Sequence, residues 1–241
     1  MRLDRMLSVC GVASRTEVAK ACRAGMVTVN GAVVKRPETQ VDEETAAVVY
    51  RGQPVRYRKF VYLILNKPKG YVSATEDGHD PVVTDLIPEE YRRMGVFPCG
   101  RLDKYTTGLM LLTNDGELSH RLLAPKSHVT KRYRFSAEHA LTDPDISTLQ
   151  SGVDIGGYLT KPCKIDLEAP DRGVIAITEG KYHQIKRMFE AVGNRIVELE
   201  RISFGSLVLD GSLPRGSWRE LSSEELDALQ SNPVLEERNF S

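Results

Sequence analysis

The first 60 residues combine a short amphipathic helical pattern with a pattern of alternating strands. Residues 15–23 place small apolar side chains on one side of a helix and basic side chains on the other. Ser14 and Glu17 have the S-x-x-E spacing of a capping box, and Gly25 is placed to end the helix. The segment MVTVNGAVV follows, in which two alternating runs flank the Asn-Gly dipeptide typical of a tight β-hairpin. Together with a first helix that carries Arg2 and Arg5, this pattern predicts a helix, a helix and a hairpin.

Residues 51–60, RGQPVRYRKF, are charged and contain a proline, which predicts a linker. Beyond them, helical and strand periods are mixed without a regular βαβ alternation, which favours an α+β fold with a mostly antiparallel, mixed sheet. The predicted strands are FVYLILN, MGVFPCGRL, GLMLLTND and residues 129–137, 159–167, 174–178 and 195–210. The predicted helices are 116–124 capped by Asp115, 143–150, 180–194 and a last one capped by Ser222 and Glu225, after which the acidic, polar end is expected to be loose.

Size and charge suggest a division of the chain. Its 241 residues allow a small domain and a larger one, and we place them at 1–57 and 58–241. The formal net charge is zero, yet residues 1–60 carry 11 Lys and Arg against 6 Asp and Glu. This imbalance suits either a polyanion-binding surface or an ordinary solvated one.

Other features of the composition exclude several classes. No segment reaches the about 18 to 20 apolar residues of a membrane span, and MRLDRMLSVCG is too charged for a signal peptide. The four cysteines lie far apart without a CxxC pair, so we expect a reducing cytoplasm and no metal site.

The stretch GRLDKYTTGLMLLTNDGE holds one carboxylate, Asp103, on a loop between Gly100 and Gly108. Glycines permit backbone conformations and close approaches that other residues do not, and the flanking strands would hold the acid rigidly. The alternative is a turn in which Asp103 only hydrogen-bonds Thr106 or Thr107. A second facing carboxylate, a GxSxG elbow and a phosphate-binding loop are all missing from the sequence, so what remains is an unassisted aspartate acting as nucleophile or base.

Two further motifs can carry chemistry. In EGKYHQIKRMF, Lys186 and Arg187 are either partly desolvated cations, one of which pairs with Asp103, or solvated helix charges. His183 is a base, a ligand or a structural hydrogen-bonding residue. In KRY, Tyr133 can stack on a base with cations beside it, or can be a half-buried strand residue.

The N-terminal motifs, RLDRML, SR and VTVNG, resemble the small RNA-binding module named after a small-subunit ribosomal protein. Basic side chains beside a hairpin can follow a phosphate backbone without reading bases. The residues we expect to contact RNA phosphates are Arg2, Arg5, Arg15, Lys20, Arg23, Lys35 and Arg36.

In order along the chain, NKPKGYVS, GRLDKYTTGLMLLTNDG, KRYRF and EGKYHQIKRMFEAVGNRIVELERISFG closely resemble the RsuA family of pseudouridine synthases. Within it, TTG after the aspartate and YHQIKRMF look most like the branch acting on small-subunit 16S rRNA. The resemblance implies that Asp103 is the catalytic aspartate, Tyr133 packs on the target base, Lys186 is the basic partner of the aspartate and Leu199 is a hydrophobic floor. The wider superfamily usually has an arginine at the position of Lys186. A lysine ammonium is a single point charge, whereas an arginine guanidinium can donate two parallel hydrogen bonds to a carboxylate. Further substrate contacts are expected from Gly100, Arg101, Thr107, Gly108, Gln184 and Arg187.

The resemblance therefore implies an isomerase that converts a uridine of rRNA to pseudouridine without metal or cofactor. The substrate uridine would be flipped out of its stack. A monomer working on the assembling small subunit is expected. A large-subunit 23S rRNA synthase and a non-catalytic RNA-binding assembly factor remain as alternatives.

Overall fold

The computed structural model describes residues 1–231 and divides the chain into two compact units. The first unit, called here the N-terminal unit, comprises Met1–Val61 and Ile87–Phe97, and the second, called the C-terminal unit, comprises Tyr62–Leu86 and the chain from Pro98 onward. The predicted boundary between residues 57 and 58 stays a prediction. The helices and strands of the N-terminal unit are α1 (Leu3–Val9), α2 (Arg15–Arg23), β1 (Val27–Val29), β2 (Ala32–Val33), β3 (Val48–Tyr50), β4 (Gln53–Val55) and α3 (Glu89–Arg93).

Local signals explain the start of the N-terminal unit. The Ser14 hydroxyl accepts from Glu17 N–H, and the Glu17 carboxylate accepts from Ser14 N–H, which confirms the predicted capping box. Gly25, with a φ of +74°, directly follows the C-cap of α2. The buried sides of α1 and α2 pack together over β1 and β3 as one apolar core.

The prediction of a linker at residues 51–60 was wrong for its first part. Gln53–Val55 forms β4, which pairs with β3, so the described part of this unit contains a four-stranded sheet in the order β2-β1-β3-β4. Pro54 is tolerated because β4 lies at the edge of this sheet, where a missing N–H breaks no inner ladder.

The C-terminal unit is built on a large mixed sheet. Its strands are β5 (Tyr62–Lys67), β6 (Phe97–Pro98, which begins at the unit boundary), β7 (Thr107–Thr113), β8 (Lys131–Ala137), β9 (Lys164–Ala169), β10 (Arg172–Ile177), β11 (Ile196–Phe204), β12 (Leu207–Val208) and β13 (Trp218–Glu220). Within residues 1–231 the main path of this nine-stranded sheet runs β13-β5-β7-β11-β8-β10-β9, and along it only β7 and β11 are parallel. The predicted α+β fold with a mostly antiparallel, mixed sheet is confirmed.

The register of this sheet brings distant residues into one row. Lys67 pairs with Gly108, Gly108 with Arg201, and Arg201 with Tyr133. Residues paired directly across strands project to the same face. An ammonium, a guanidinium and a phenol therefore share one level of the sheet, just beyond the loop that carries Asp103.

The helices of the C-terminal unit are α4 (Gly116–Leu123), α5 (Asp143–Ser151), α6 (Gln184–Ala191) and α7 (Ser223–Ser231). Asp115 caps α4 by accepting from Leu118 N–H, as predicted. Helix α6 buries Ile185, Met188 and Phe189, and the Phe189 ring meets the Phe135 ring of β8 edge-on with centroids 5.0 Å apart.

Some predicted limits were wrong. Helix α6 begins at Gln184 and not at residue 180, because His183 has a left-handed backbone with φ of +51°. Strand β9 begins only at Lys164, and residues 159–163 do not belong to it. The prediction for the end of the chain lies outside the described residues.

No helix among the described residues is both long and apolar enough to cross a bilayer. Within the same residues, no group of three or more His, Cys, Asp or Glu side chains could hold a metal ion.

Candidate active site

Asp103 lies on the loop that precedes β7. The loop is a turn in which Thr106 N–H donates to the Asp103 carbonyl at 3.0 Å. The carboxylate itself is not used in this turn: the Thr107 hydroxyl donates to the Leu199 carbonyl at 3.4 Å, and the Thr106 hydroxyl is buried with no partner among the described residues. The side chain of Asp103 therefore serves another purpose than closing its own turn.

Two residues at the start of α6 contact the Asp103 carboxylate. Lys186 Nζ lies 2.9 Å from Oδ2, and His183 Nε2 lies 3.5 Å from Oδ1. The left-handed backbone of His183 turns the chain sharply into α6, and its ring stacks on the Tyr182 ring at 3.9 Å. The cation beside one oxygen and the imidazole beside the other fix the direction of the carboxylate.

Lys67, at the end of β5, anchors the Asp103 loop from below. Its ammonium is completely buried and donates to the carbonyls of Pro68, Asp103, Lys104 and Thr106 at 2.9 to 3.2 Å. Burial lowers the pKa of the Lys67 ammonium to about 8, although the Asp103 carboxylate acts in the opposite direction. One buried cation thus binds the carbonyls of the loop and holds its backbone against the end of β5.

A cleft of about 690 Å³ opens over this arrangement. It is lined by seven of the residues predicted for the site, namely Gly100, Arg101, Asp103, Tyr133, Gln184, Lys186 and Leu199. Tyr133 and Leu199 are almost completely buried and give the cleft an apolar wall. The amide of Gln184 donates to Glu179 at 2.7 Å and accepts from Lys181 N–H at 2.9 Å, so it orders the turn into α6.

Three predicted substrate residues do not line this cleft. Thr107 is buried on β7. Gly108 has a φ of +100°, and a Cβ there would lie 2.3 Å from the Arg201 carbonyl oxygen, so its lack of a side chain serves the close approach of β7 and β11. The Arg187 guanidinium donates to the Ile155 carbonyl.

The seven basic residues predicted to meet RNA are all exposed in the N-terminal unit. Arg2 also forms a two-point contact with Asp4, at 3.0 and 2.8 Å. The other members lie on α1, on α2 and just after β2.

Sequence reasoning did not assign roles to Lys67 and Arg201, and it considered Lys131 only as a cation flanking Tyr133. Lys131 and Arg201 line the cleft, and Lys67 lies beneath the loop. The one local signal for Lys67 was its position at the end of an apolar strand, in NKPKG. A lysine at the end of a strand suggests a solvated turn. Lys67 is buried only because the loop of residues 103–106 folds over it.

Comparison with known proteins places this geometry in a family. The model of RNA pseudouridylate synthases matches residues 61–191, and the S4 domain model matches residues 1–46. An uncharacterized RNA pseudouridine synthase, YtzG of Bacillus subtilis, is 48% identical over 95% of this chain and 98% of its own. The ribosomal small subunit pseudouridine synthases A of Yersinia pestis and Escherichia coli are 42% and 37% identical, each over 94% of this chain and at least 97% of their own.

A solved structure described as a pseudouridylate synthase agrees with the fold. It is 33% identical, has a TM-score of 0.67 and covers 95% of this chain and 99% of its own. The matches extend over both units, including the loop of Asp103 and helix α6. The chain therefore belongs to the RNA pseudouridylate synthases, isomerases of RNA uridine, and within them to the RsuA family with its N-terminal S4 domain.

Proposed function

We propose that the protein converts one uridine of small-subunit 16S rRNA to pseudouridine, with Asp103 as the single reacting carboxylate. The observation that carries the chemical part is the Asp103 carboxylate in a cleft, held by Lys186 at 2.9 Å and faced by His183 at 3.5 Å. The rRNA target is supported by the names and near-complete coverage of the relatives from Yersinia pestis and Escherichia coli.

One carboxylate is sufficient because the reaction rearranges a nucleoside in place. The bond from uracil N1 to C1′ of the ribose breaks, the uracil turns, and its C5 forms a new bond to C1′. No electrons or groups are exchanged with a second molecule, so the proposal includes no cofactor and no metal. Asp103 acts either as a nucleophile at C1′ or as a base toward the ribose, and both need an ionised carboxylate held in a fixed direction.

The walls of the cleft suit a flipped base. Tyr133 offers a ring on which uracil can pack, and Leu199 offers an apolar floor beside it. Arg101 is exposed at the cleft, and we expect it to contact a phosphate of the flipped nucleotide. Extracting the uridine costs a few kcal/mol, which contacts to the RNA backbone would offset.

Those backbone contacts are assigned to residues 1–57, which we propose act as an RNA-binding module ahead of a catalytic part at 58–241. Its exposed cations can neutralise phosphates without reading sequence, so binding should weaken as salt rises. We further propose that the enzyme acts as a monomer in the cytoplasm, on small subunits during their assembly.

The direct test is to map pseudouridines in rRNA from cells with and without the gene, and to restore the gene as wild type or as Asp103→Asn. The proposal expects one 16S position to lose its pseudouridine and to regain it only with the wild type. A lost position in 23S rRNA would overturn the proposed target. Full restoration by Asp103→Asn would overturn the proposed chemistry, and unchanged maps would overturn the assignment to rRNA.

A further inference from the structure

Two cations that line the cleft have no acidic partner within residues 1–231. The Arg201 side chain is 2% exposed, its Nε donates to the Leu109 carbonyl at 2.7 Å, and its Nη2 is buried with no partner among the described residues. The Lys131 ammonium donates to the Val129 carbonyl at 3.1 Å. Within residues 1–231 neither cation has a carboxylate oxygen within 4.0 Å, in contrast to Lys186.

Both cations lie near the ring of Phe204. Lys131 Nζ and Arg201 Cζ lie 5.8 and 5.2 Å from the centroid of the same Phe204 ring. Burial and the charge of Arg201 lower the pKa of Lys131 to about 8, against the weaker influence of the Cys99 and Glu179 side chains. Holding unpaired positive charge in such a place costs free energy, so a function that uses the charge is expected.

The sheet places this charge beside the proposed base-stacking residue. Arg201 is the direct cross-strand partner of Tyr133, and Lys131 is two residues before Tyr133 on the same strand and therefore on the same face. All three residues line the cleft. A uracil packed on Tyr133 would therefore lie over the row that carries both cations.

The proposed reaction generates an anion at this point. When the N1–C1′ bond breaks, its electron pair stays on N1 and is shared with the carbonyl oxygens O2 and O4. If Asp103 attacks C1′, a carboxylate oxygen becomes bonded to C1′. If Asp103 instead removes the C2′ proton, a C1′=C2′ double bond forms, and the proton returns to C2′ later. In both cases uracil is an anion until C5 bonds to C1′ and the C5 proton moves to N1.

We propose that Lys131 and Arg201, the two cations beside Tyr133, stabilise the negative charge of the detached uracil. This inference rests on the proposed function and adds two catalytic residues to it. Preorganised donors that face developing charge in a water-poor site are among the strongest contributions to catalysis. Arg201 Nη2 is buried and has no hydrogen-bond partner among the described residues, so Arg201 contributes its positive charge through the electric field.

A different use of the same cations would be to bind a phosphate of the RNA. Arg201 is 2% exposed and Lys131 is partly buried, which argues against it, because a phosphate is bulky, strongly hydrated and attached to the strand outside. The two uses also differ in kinetics. A phosphate contact would weaken RNA binding, whereas a leaving-group contact would slow bond cleavage with little change in binding.

The experiment compares uridine with 5-fluorouridine at the target position of an rRNA fragment. Fluorine stabilises the uracil anion and so reduces the need for stabilisation by Lys131 and Arg201. We expect Lys131→Met to slow single-turnover cleavage of the N1–C1′ bond about 10²-fold with uridine and far less with 5-fluorouridine, with an RNA Kd within about two-fold of wild type. Lys131→Arg, which keeps the charge, should recover part of the rate.

The matched control is Arg134→Met on the same strand, because Arg134 is half-exposed and is 3.7 Å from Glu168 and Glu200. It should leave both rates unchanged. Arg201→Lys tests the second cation, and a thermal melt shows whether that variant is folded.

Three results would each overturn the inference. Lys131→Met could slow uridine and 5-fluorouridine equally, it could leave both rates at the wild-type value, or it could reduce only the RNA affinity. The proposed function is judged separately by wild-type turnover: if the wild type modifies 23S rather than 16S RNA, the comparison is made on that RNA and the inference is still decided. A wild type that modifies no RNA overturns both.

Discussion

Replacing Lys186 by methionine removes the cation nearest to the Asp103 carboxylate while keeping a side chain of similar length. At the observed 2.9 Å, Coulomb attraction is about 1.4 kcal/mol in bulk water and about 6 kcal/mol at an effective dielectric constant of about 20. Both side chains are 27% exposed, so solvent screens part of this attraction. An intermediate loss of about 3 kcal/mol corresponds to a fall in turnover of about 10²-fold.

The assay is single-turnover pseudouridine formation on the mapped rRNA fragment, with RNA affinity measured in parallel. Lys186→Arg keeps the charge and should stay within about ten-fold of wild type. Arg195→Met removes an equally charged partner from the exposed pair with Glu138, at 2.7 Å, and should have no effect on turnover. The Lys186 side chain is 27% exposed, so the Lys186→Met variant should remain folded, and His183 still faces the other oxygen of Asp103.

Wild-type turnover by the Lys186→Met enzyme would contradict this prediction, since it would show that the 2.9 Å contact does not direct the carboxylate. A loss of RNA affinity that accounts for the whole effect would refute it equally, because Lys186 would then be a phosphate contact.

Further predictions concern the anchoring lysine, the sheet and the RNA-binding module. Turnover should fall above about pH 8 as the Lys67 and Lys131 ammonium groups, each with a pKa of about 8, lose their protons. Because these folded pKa values lie below the ordinary 10.5, the unfolded chain holds the extra protons between about pH 8 and 10.5, and the contribution of both lysines to the free energy of unfolding rises there. A pH series of turnover and of urea denaturation checks this, and parallel losses of both would contradict it. Gly108→Ala should destabilise the protein by about 4 kcal/mol, from the left-handed φ and the clash with the Arg201 carbonyl, whereas Gly78→Ala, with open space around it, should change urea stability by less than about 0.5 kcal/mol. Replacing the three exposed cations of α2 by alanine should reduce the slope of log K against log salt by about 2 to 3, and an unchanged slope would remove these residues from the phosphate-binding surface.

Features with local causes could be predicted from the sequence. The start of α2 follows from the hydroxyl of Ser14 and the carboxylate of Glu17, three residues apart, and the hairpin from Asn30 and Gly31, which both have a positive φ. The contact of Lys186 with Asp103, which the family resemblance implied, is present, although the roles of both residues remain proposals.

Features with distant causes could not be predicted. Lys67 is buried because carbonyls from residues 103–106 converge on it, and no local pattern indicates that. Arg201 lies in VELERIS, where charged residues suggest a solvated strand, yet the neighbouring strands β7 and β8 enclose it. Strand β4 was mistaken for a linker because Pro54 and the arginines around it are typical of a loop. Its short pairing with β3 at the edge of the sheet has no signal in the local sequence.

One carboxylate, Asp103, is proposed to perform the isomerisation. The most direct test of this proposal is pseudouridine formation by purified Asp103→Asn, a change that keeps the shape of the side chain and removes its charge. We expect no detectable product while RNA affinity stays within a few-fold of wild type. Product formed at the wild-type rate would contradict the proposal.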